Sequence, residues 1–336
     1  QFEVVDGDHR YSGRRDGRAT SRSLSQCTGG RRRALRHESR SDRVAATSGG
    51  RVKFDDDRVD ASQLQDQRGG RGGMSRGTAV GAGVGGVGIL GLLLALLFGG
   101  ALPQDTATPA APAASSSSDV AVRCNQPGAI EQYDDCYIVK IFNETNEIWA
   151  SQVSNYQRPT LILFERGVRT ACGPASSDTG PFYCPGDNKV YIDLGFMKQL
   201  QRQLGAEGRN AQAYIVAHEV GHHIQNITGT ERRARQLQQQ NRGRANEISV
   251  RLELQADCYG GVWARQANDR GNVQITQQEL NEALNAAAAV GDDRIAQGAG
   301  QRVSPESFTH GTAAQRQAWF TKGFESGDPR VCDTFS

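Results

Sequence analysis

Residues Ala211–Asn226, AQAYIVAHEVGHHIQN, constrain the chain more than any other stretch. Apolar residues at Ala213, Val216, Ala217, Val220 and Ile224 recur at three- and four-residue steps, the pattern of a half-buried helix. On that helix His218 and His222 stand four apart, on one face and one turn from each other. Two neutral imidazoles so placed can share one Zn²⁺ at nitrogen–metal distances of roughly 2.0–2.1 Å. Glu219 projects beside them, placed to take a proton from a water on the metal. The competing reading is a surface helix that carries two histidines by accident, because H-E-x-x-H is short enough to arise by chance. Against it, residues 120–336 contain four histidines, His218, His222, His223 and His310, and three of them are here. His223 is rotated about 100° from His222 and cannot reach the same ion, so it is expected in the core or in a hydrogen bond. Gly221 inside the helix costs about 1 kcal/mol relative to Ala. It is expected to leave room for a second helix to approach.

That second helix is expected over Glu247–Ala267, EISVRLELQADCYGGVWARQA, with Ile248, Leu252, Leu254 and Trp263 for packing. Within it Glu253 and Asp257 are four apart and share a face bordered by Ala256 and Cys258. A buried carboxylate needs a cation or hydrogen-bond donors. An ion on His218 and His222 would satisfy Glu253, and Asp257 could accept the second ring N–H of a ligand histidine. The alternative is a solvated acidic face balanced by Arg251.

These runs carry a resemblance. H-E-x-x-H followed by E-x-x-x-D is similar to the gluzincin arrangement of zinc peptidases. The runs TACGPASSDTGPFYCPGDNKVYIDL, HEVGHHIQN, SVRLELQADCYGGVWA and SFTHGTAAQRQAWFTKGFESGDPRVCDTF resemble the bacterial predicted neutral zinc metallopeptidase family. The opening run KFDDDRVDASQLQDQRG resembles the start of its members, so the likeness extends from about Lys53 to Phe335. The resemblance implies a membrane-anchored enzyme, with His218, His222 and Glu253 as zinc ligands, Glu219 as catalytic base and Asp257 steadying His218.

Residues 1–50 are rich in Arg, Ser and Gly, with runs such as Arg31-Arg32-Arg33, and cannot bury a core. With only Phe2 and Tyr11 as Phe, Tyr or Trp rings and no fold expected of their own, they do not read as a nucleic-acid-binding arm. Residues 1–51 are expected to be an over-extended reading frame, with Val52 the natural start. From Gly77 to Gln104 there is no ionisable side chain, and Ile89–Phe98 is almost wholly apolar. A helix over Val80–Leu102 would be about 34 Å long, enough to cross a bilayer core of roughly 30 Å. Arg68, Arg71 and Arg76 precede it and Asp105 follows, which places the amino terminus in the cytoplasm. The rival is a signal peptide cleaved near Gly99-Gly100-Ala101. Pro103–Asp119 is a Pro/Ala/Ser/Thr tether.

Residues 120–336 contain Cys124, Cys136, Cys172, Cys184, Cys258 and Cys332, an even count that suggests three disulfides in an oxidising compartment. Of the fifteen pairings the simplest joins neighbours: Cys124–Cys136, Cys172–Cys184 and Cys258–Cys332. Cys27 falls in the leader, on the reducing side. Helical or mixed structure is expected over Gln132–Ser151, a strand over Thr160–Phe164, a loop over Gly173–Gly186 and a second strand over Lys189–Asp193. The second strand is either an interior strand or the edge on which an extended peptide docks. Capping boxes at Thr276 and Thr312 open helices to about Val290 and Lys322. His310, just before the second box, is either an oxyanion stabiliser or a plain loop residue.

The expected fold class is α+β: a zincin-like metallopeptidase domain with a small sheet and the H-E-x-x-H helix, preceded by one transmembrane helix and a disordered amino-terminal segment. The expected parts are 1–77 disordered and basic, 78–102 transmembrane, 103–119 linker and 120–336 zinc domain. The expected activity is peptide hydrolysis with Zn²⁺ as cofactor and a peptide or protein substrate, on the extracytoplasmic side of the cell membrane, without nucleic acid. A non-catalytic, zinc-stabilised binding domain is the alternative.

Overall fold

The computed structural model describes residues 53–54, 58–68, 116–204, 208–298, 300 and 302–336. The expected transmembrane run 78–102, Cys27 and most of the linker lie outside them. Among the described residues no helix is long and apolar enough to cross a membrane.

The architecture is α+β. Strand β3 (Thr160–Phe164) is central, with β2 (Leu64–Asp66) parallel to it on one side and β7 (Lys189–Asp193) parallel on the other. Strand β6 (Phe182–Cys184) closes the sheet antiparallel to β7. Four of the five residues of the run TLILF, Leu161–Phe164, are apolar because both faces of β3 are covered. Leu161, Leu163, Val190 and Ile192 join the main core beneath the helices. The alternate residues Ile162, Phe164 and Tyr191 pack with Val168 and Ala175 of the hairpin β4 (Gly167–Thr170) and β5 (Gly173–Ser176).

Two expectations are corrected here, and one open alternative is resolved. The stretch 173–186 is more than a loop: it supplies β5 and the edge strand β6, tied by Cys172–Cys184. Its prolines and glycines mask strands short enough to escape a periodicity test. Lys189–Asp193 is an interior strand, and the edge is β6. Residues 53–54 and 58–68, expected to be disordered, are part of the fold: Lys53–Phe54 (β1) pairs with Val273–Gln274 (β8), and β2 is a sheet strand. Their burial comes from residues far along the chain, which no local pattern displays. The tether also ends earlier, where Ser116 and Asp119 form a capping box on α1 (Ser117–Cys124).

The helices stack on the sheet's inner face. After α1 and the short α2 (Ala129–Gln132), α3 (Asp134–Gln152) and α4 (Leu194–Leu204) flank α5 (Gly208–Thr228). Helix α5 is the hub: every residue from Asn210 to Val220 is buried, so it is not the half-buried helix expected. Neighbours close on it from several sides, including α3, α7 (Ala245–Arg270) and α8 (Gln277–Ala289). Helices α6 (Thr230–Gln240), α9 (Asp292–Gly298) and α10 (Ala313–Ser326) complete the set, and α8 and α10 begin at the Thr276 and Thr312 capping boxes.

The closest helix contact is α7 against α10. A Cβ on Gly261 would stand 2.0 Å from the Phe320 carbonyl oxygen, and one on Gly323 would stand 2.0 Å from that of Cys258. Each glycine admits the other helix's backbone, and Cys258–Cys332 fastens the same region. Replacing Gly323 by Ala therefore forces the helices apart. We expect a loss of about 3 kcal/mol or more in unfolding free energy, read as a lower denaturant midpoint, against the modest gain alanine brings to an unobstructed helix. An unchanged midpoint would show that the contact is looser than described. The Cys124–Cys136 disulfide joins α1 to α3 in the same way.

Candidate metal centre

Helix α5 presents His218, Glu219 and His222, and α7 presents Glu253 and Asp257. The approach of the two helices depends on Gly221, where a Cβ would stand 3.1 Å from the Ala256 carbonyl oxygen and 3.2 Å from its Cα. At that separation His218, His222 and Glu253 each aim one donor atom at a common point, all three within 4.8 Å of one another. The separations are 3.1 Å between the two Nε2 atoms, 3.3 Å from His218 Nε2 to Glu253 Oε2, and 3.6 Å from His222 Nε2 to Glu253 Oε1. A tetrahedral ion at 2.0–2.1 Å holds its ligand atoms roughly 3.3–3.4 Å apart.

The hydrogen bonds around the rings decide which atoms carry protons. His218 Nδ1 lies 2.9 Å from Asp257 Oδ1, and His222 Nδ1 lies 2.8 Å from Gln225 Oε1. Gln225 is oriented by its own amide, which donates to the Leu252 carbonyl (2.6 Å) and to Gln255 Oε1 (3.1 Å). Both Nδ1 atoms therefore face acceptors and donate to them, which leaves both Nε2 lone pairs directed at one point. Glu253 Oε2 is buried without a hydrogen-bond partner. Arg316 Nη2 stands 3.8 Å from that oxygen, and the convergence of two ring nitrogens on a buried carboxylate needs a cation at the common point, a proton on His218 or a metal ion. The donor set of two imidazoles and one carboxylate fits Zn²⁺ with a position left open.

Electrostatics agree with the geometry. Burial would raise the Glu253 carboxyl, but His222, His218 and His310 outweigh it and hold it well below the usual carboxylate range. Burial opposes charge on His218, yet Asp257 and Glu253 push its pKa up to about 9: the anionic surroundings favour a cation at this point. Glu219 behaves in the opposite way. It is buried, and desolvation raises it despite His218 and His222 nearby. A raised carboxyl beside, but not among, the converging donors suits a proton carrier. Arg251 pairs with Glu247 at 2.9 Å, so the reading of a solvated face that it neutralises does not describe Glu253.

Asp257 sits at the centre of a buried network that sequence reasoning only half anticipated. Arg316 of α10 donates to both its oxygens, Nε to Oδ2 at 2.7 Å and Nη2 to Oδ1 at 2.8 Å, and the Tyr214 hydroxyl donates to Oδ1 as well. Arg316 is 1% exposed, and burial, which would discharge it, is overcome by Asp257. A methionine at 316 would leave Asp257 charged and partly unpaired. We expect zinc affinity to fall roughly 10–100-fold, with a stability loss of about 3–5 kcal/mol, and Arg316→Lys to recover part of both. Zinc competition against a chromophoric chelator measures the first, and unchanged affinity would show that Arg316 matters only for packing.

His310 enters from the turn before α10 and is 8% exposed. Its Nδ1 lies 3.0 Å from Asp292 Oδ1, while Asp292 Oδ2 accepts the backbone N–H groups of Thr309, His310 and Gly311 at 2.8, 2.7 and 3.0 Å. Asp292 thus fixes both the ring and the turn that carries it. Neither Asp292 nor Arg316 was found by sequence reasoning. Their partners lie many residues away, and an acidic residue opening a helix has a sufficient local explanation. His223 is held between the Gln157 carbonyl at 2.7 Å and the Tyr183 hydroxyl at 3.1 Å, outside the converging donors, and burial lowers its pKa to about 4.

A cleft of about 700 Å³ opens over the centre. Glu219, His222 and Glu253 line it on one side, and Pro174, Phe182 and Tyr183 of the Cys172–Cys184 segment line it on the other. Edge strand β6 therefore borders the cleft.

The family model described as "Putative neutral zinc metallopeptidase" matches residues 54–335. The chain belongs to this family. Among its relatives, "Uncharacterized protein YpfJ" of Escherichia coli (strain K12) is 48% identical over 200 residues, covering 58% of this chain and 69% of that protein. "Uncharacterized protein Mb2605" of Mycobacterium bovis is 43% identical over 257 residues, covering 73% of this chain and 85% of that protein. "Uncharacterized protein Rv2575" of Mycobacterium tuberculosis matches to the same extent. No solved structure matches the chain. The zinc metallopeptidase family thus contributes a class of chemistry, and its named relatives add no substrate to it.

Proposed function

We propose that the chain is a membrane-associated, extracytoplasmic zinc peptidase that hydrolyses peptide bonds, with His218, His222 and Glu253 as ligands and Glu219 as general base. The observation that carries this reading is the convergence of two Nε2 atoms and one buried carboxylate oxygen that makes no hydrogen bond, beside a buried glutamate outside the converging set. Zn²⁺ bound there would lower the pKa of a water and polarise a carbonyl. Glu219 takes the proton from the attacking water and passes it to the leaving amine, a task served by a carboxyl that burial raises above its ordinary value. His310, whose Nδ1 lies 3.0 Å from Asp292 Oδ1, is the candidate for stabilising the oxygen on which negative charge develops.

Strand β6 supports a peptide as substrate. It is the last strand of its sheet and borders the cleft, so an extended chain can add to it by main-chain hydrogen bonds. The three disulfides support an oxidising compartment. The test is zinc analysis and peptide-library cleavage with the full-length chain. A fragment beginning at residue 120 would lack β2 and expose the flank of β3. Zinc bound at one per chain without cleavage of any library member would favour a non-catalytic binding domain instead.

A further inference from the structure

Helix α5 carries two parallel stripes. His218, His222 and Gln225 stand at i, i+4 and i+7 and face the metal point and α7. Glu219, His223 and Asn226 repeat that spacing one residue later, about 100° around the helix. The metal centre accounts for the first stripe. The second is aimed at edge strand β6, and at one residue of it.

Of the three residues of β6, Phe182 and Cys184 pack on the hairpin side of the sheet, and Tyr183 alone points to the helices. Its hydroxyl meets three side chains: His223 Nδ1 at 3.1 Å, Asn226 Nδ2 at 2.8 Å and Asn188 Oδ1 at 2.9 Å. His223 Nε2 lies 2.7 Å from the Gln157 carbonyl, so Nε2 carries the ring hydrogen and Nδ1 accepts. The Asn226 amide donates one hydrogen to the hydroxyl oxygen and the other to Asn188 Oδ1 at 2.8 Å. Asn188 Oδ1 is thereby served, and the hydroxyl proton goes to His223 Nδ1. His223 is 1% exposed, and the rings of Tyr156 and Tyr183 close on it edge-on, with centroids at 5.7 and 5.4 Å.

The main chain of the same tyrosine serves the other end of the stripe. Burial raises the Glu219 carboxyl, and the backbone N–H of Tyr183 is among the groups that draw it back. Tyr183 thus meets α5 at Glu219 through its backbone and at His223 and Asn226 through its hydroxyl. The ladder from β6 to β7 runs over three residue pairs. A misplacement of about 1 Å at a reacting group can cost roughly 100-fold in rate, so a strand this short needs a second fixture if it is to hold a substrate.

We propose that Tyr183 and His223 are positioning residues, an inference that rests on the peptidase reading: the Tyr183 hydroxyl sets strand β6, and a peptide extended along it, in register with Glu219 and the metal point. Neither residue binds the ion. His223 spans from the Gln157 carbonyl, just ahead of central strand β3, to the tyrosine, so the edge strand takes its place from the metal helix as well as from the sheet.

The test compares full-length wild type with Tyr183→Phe, which keeps the ring and removes the hydroxyl, on an extended peptide that the wild type cleaves. Zinc should stay at one per chain, because the stripe of His218 and His222 is untouched. Per zinc-loaded chain, at a temperature where the variant is fully folded, kcat should fall roughly 10–100-fold while KM stays within about twofold. A residue needed only for packing would lower the thermal midpoint and leave kcat per folded chain as it was, and that result would overturn the inference. Loss of zinc in step with kcat would also overturn it, since Tyr183 would then act through the ion. Asn226→Ala, at a partly exposed position, should lower kcat in the same sense, and adding it to Tyr183→Phe should cost nothing more. Additive losses would mean that hydroxyl and amide do not act as one unit, and would overturn the inference. A wild type that binds zinc and cleaves no peptide overturns the peptidase reading and this inference with it. A cleaving wild type with unaltered Tyr183→Phe kinetics overturns this inference alone.

Discussion

Replacing Glu219 by Gln should leave zinc at one per chain and lower kcat for peptide cleavage by roughly 10²–10⁴-fold, the usual share of general acid–base catalysis. The two effects separate because of where the residue lies. Glu219 is next to the ligands in sequence and 4% exposed, but the donor atoms that converge are those of His218, His222 and Glu253. Glutamine keeps the volume and the hydrogen-bonding oxygen and loses the ability to accept and return a proton. Metal content by mass spectrometry and turnover on a peptide library give the two numbers. A fully active variant would remove Glu219 from the mechanism, and a variant without zinc would mean that it acts as a ligand.

Glu253→Ala should abolish stable zinc binding, a loss larger than the roughly 10–100-fold that follows from removing a residue that only supports a ligand. Burial raises the cost of a carboxylate at this position, and His222 and His218 offset that cost in the metal-free chain. Without Glu253 the ion keeps two imidazoles, and the anionic member of the set is gone. Arg251→Ala is the matching control, because Arg251 belongs to Glu247 and its removal should leave zinc unchanged. Equal zinc content in wild type and Glu253→Ala would assign the third ligand elsewhere.

The legible parts of this molecule were those written in short-range spacing. His218 and His222 at i and i+4, Glu253 and Asp257 at i and i+4, and the Thr276 and Thr312 capping boxes each define their geometry within one turn of helix, and the structure places them accordingly. Strand β3 was legible because the apolar run Leu161–Phe164, opened by the β-branched Thr160, has few other uses. What escaped lies at long range. Asp292 meets His310 and Arg316 meets Asp257 only once α9 and α10 have packed, and neither residue stands out in its own helix. The choice between edge and interior for β7 depended on β6, three residues hidden among prolines. Residues 58–68 looked like a charged leader because their partners, Asn125, Asn143 and β3, come much later in the chain.

The chain of amides from His222 through Gln225 to Gln255 ends on the carbonyl of Cys332, the residue that bonds to Cys258 beside Asp257. Thiol state and ion retention are therefore linked through three side chains. Dithiothreitol or phosphine in a purification buffer would loosen the anchor from which His222 takes its bearing, and metal would be lost to any chelator present.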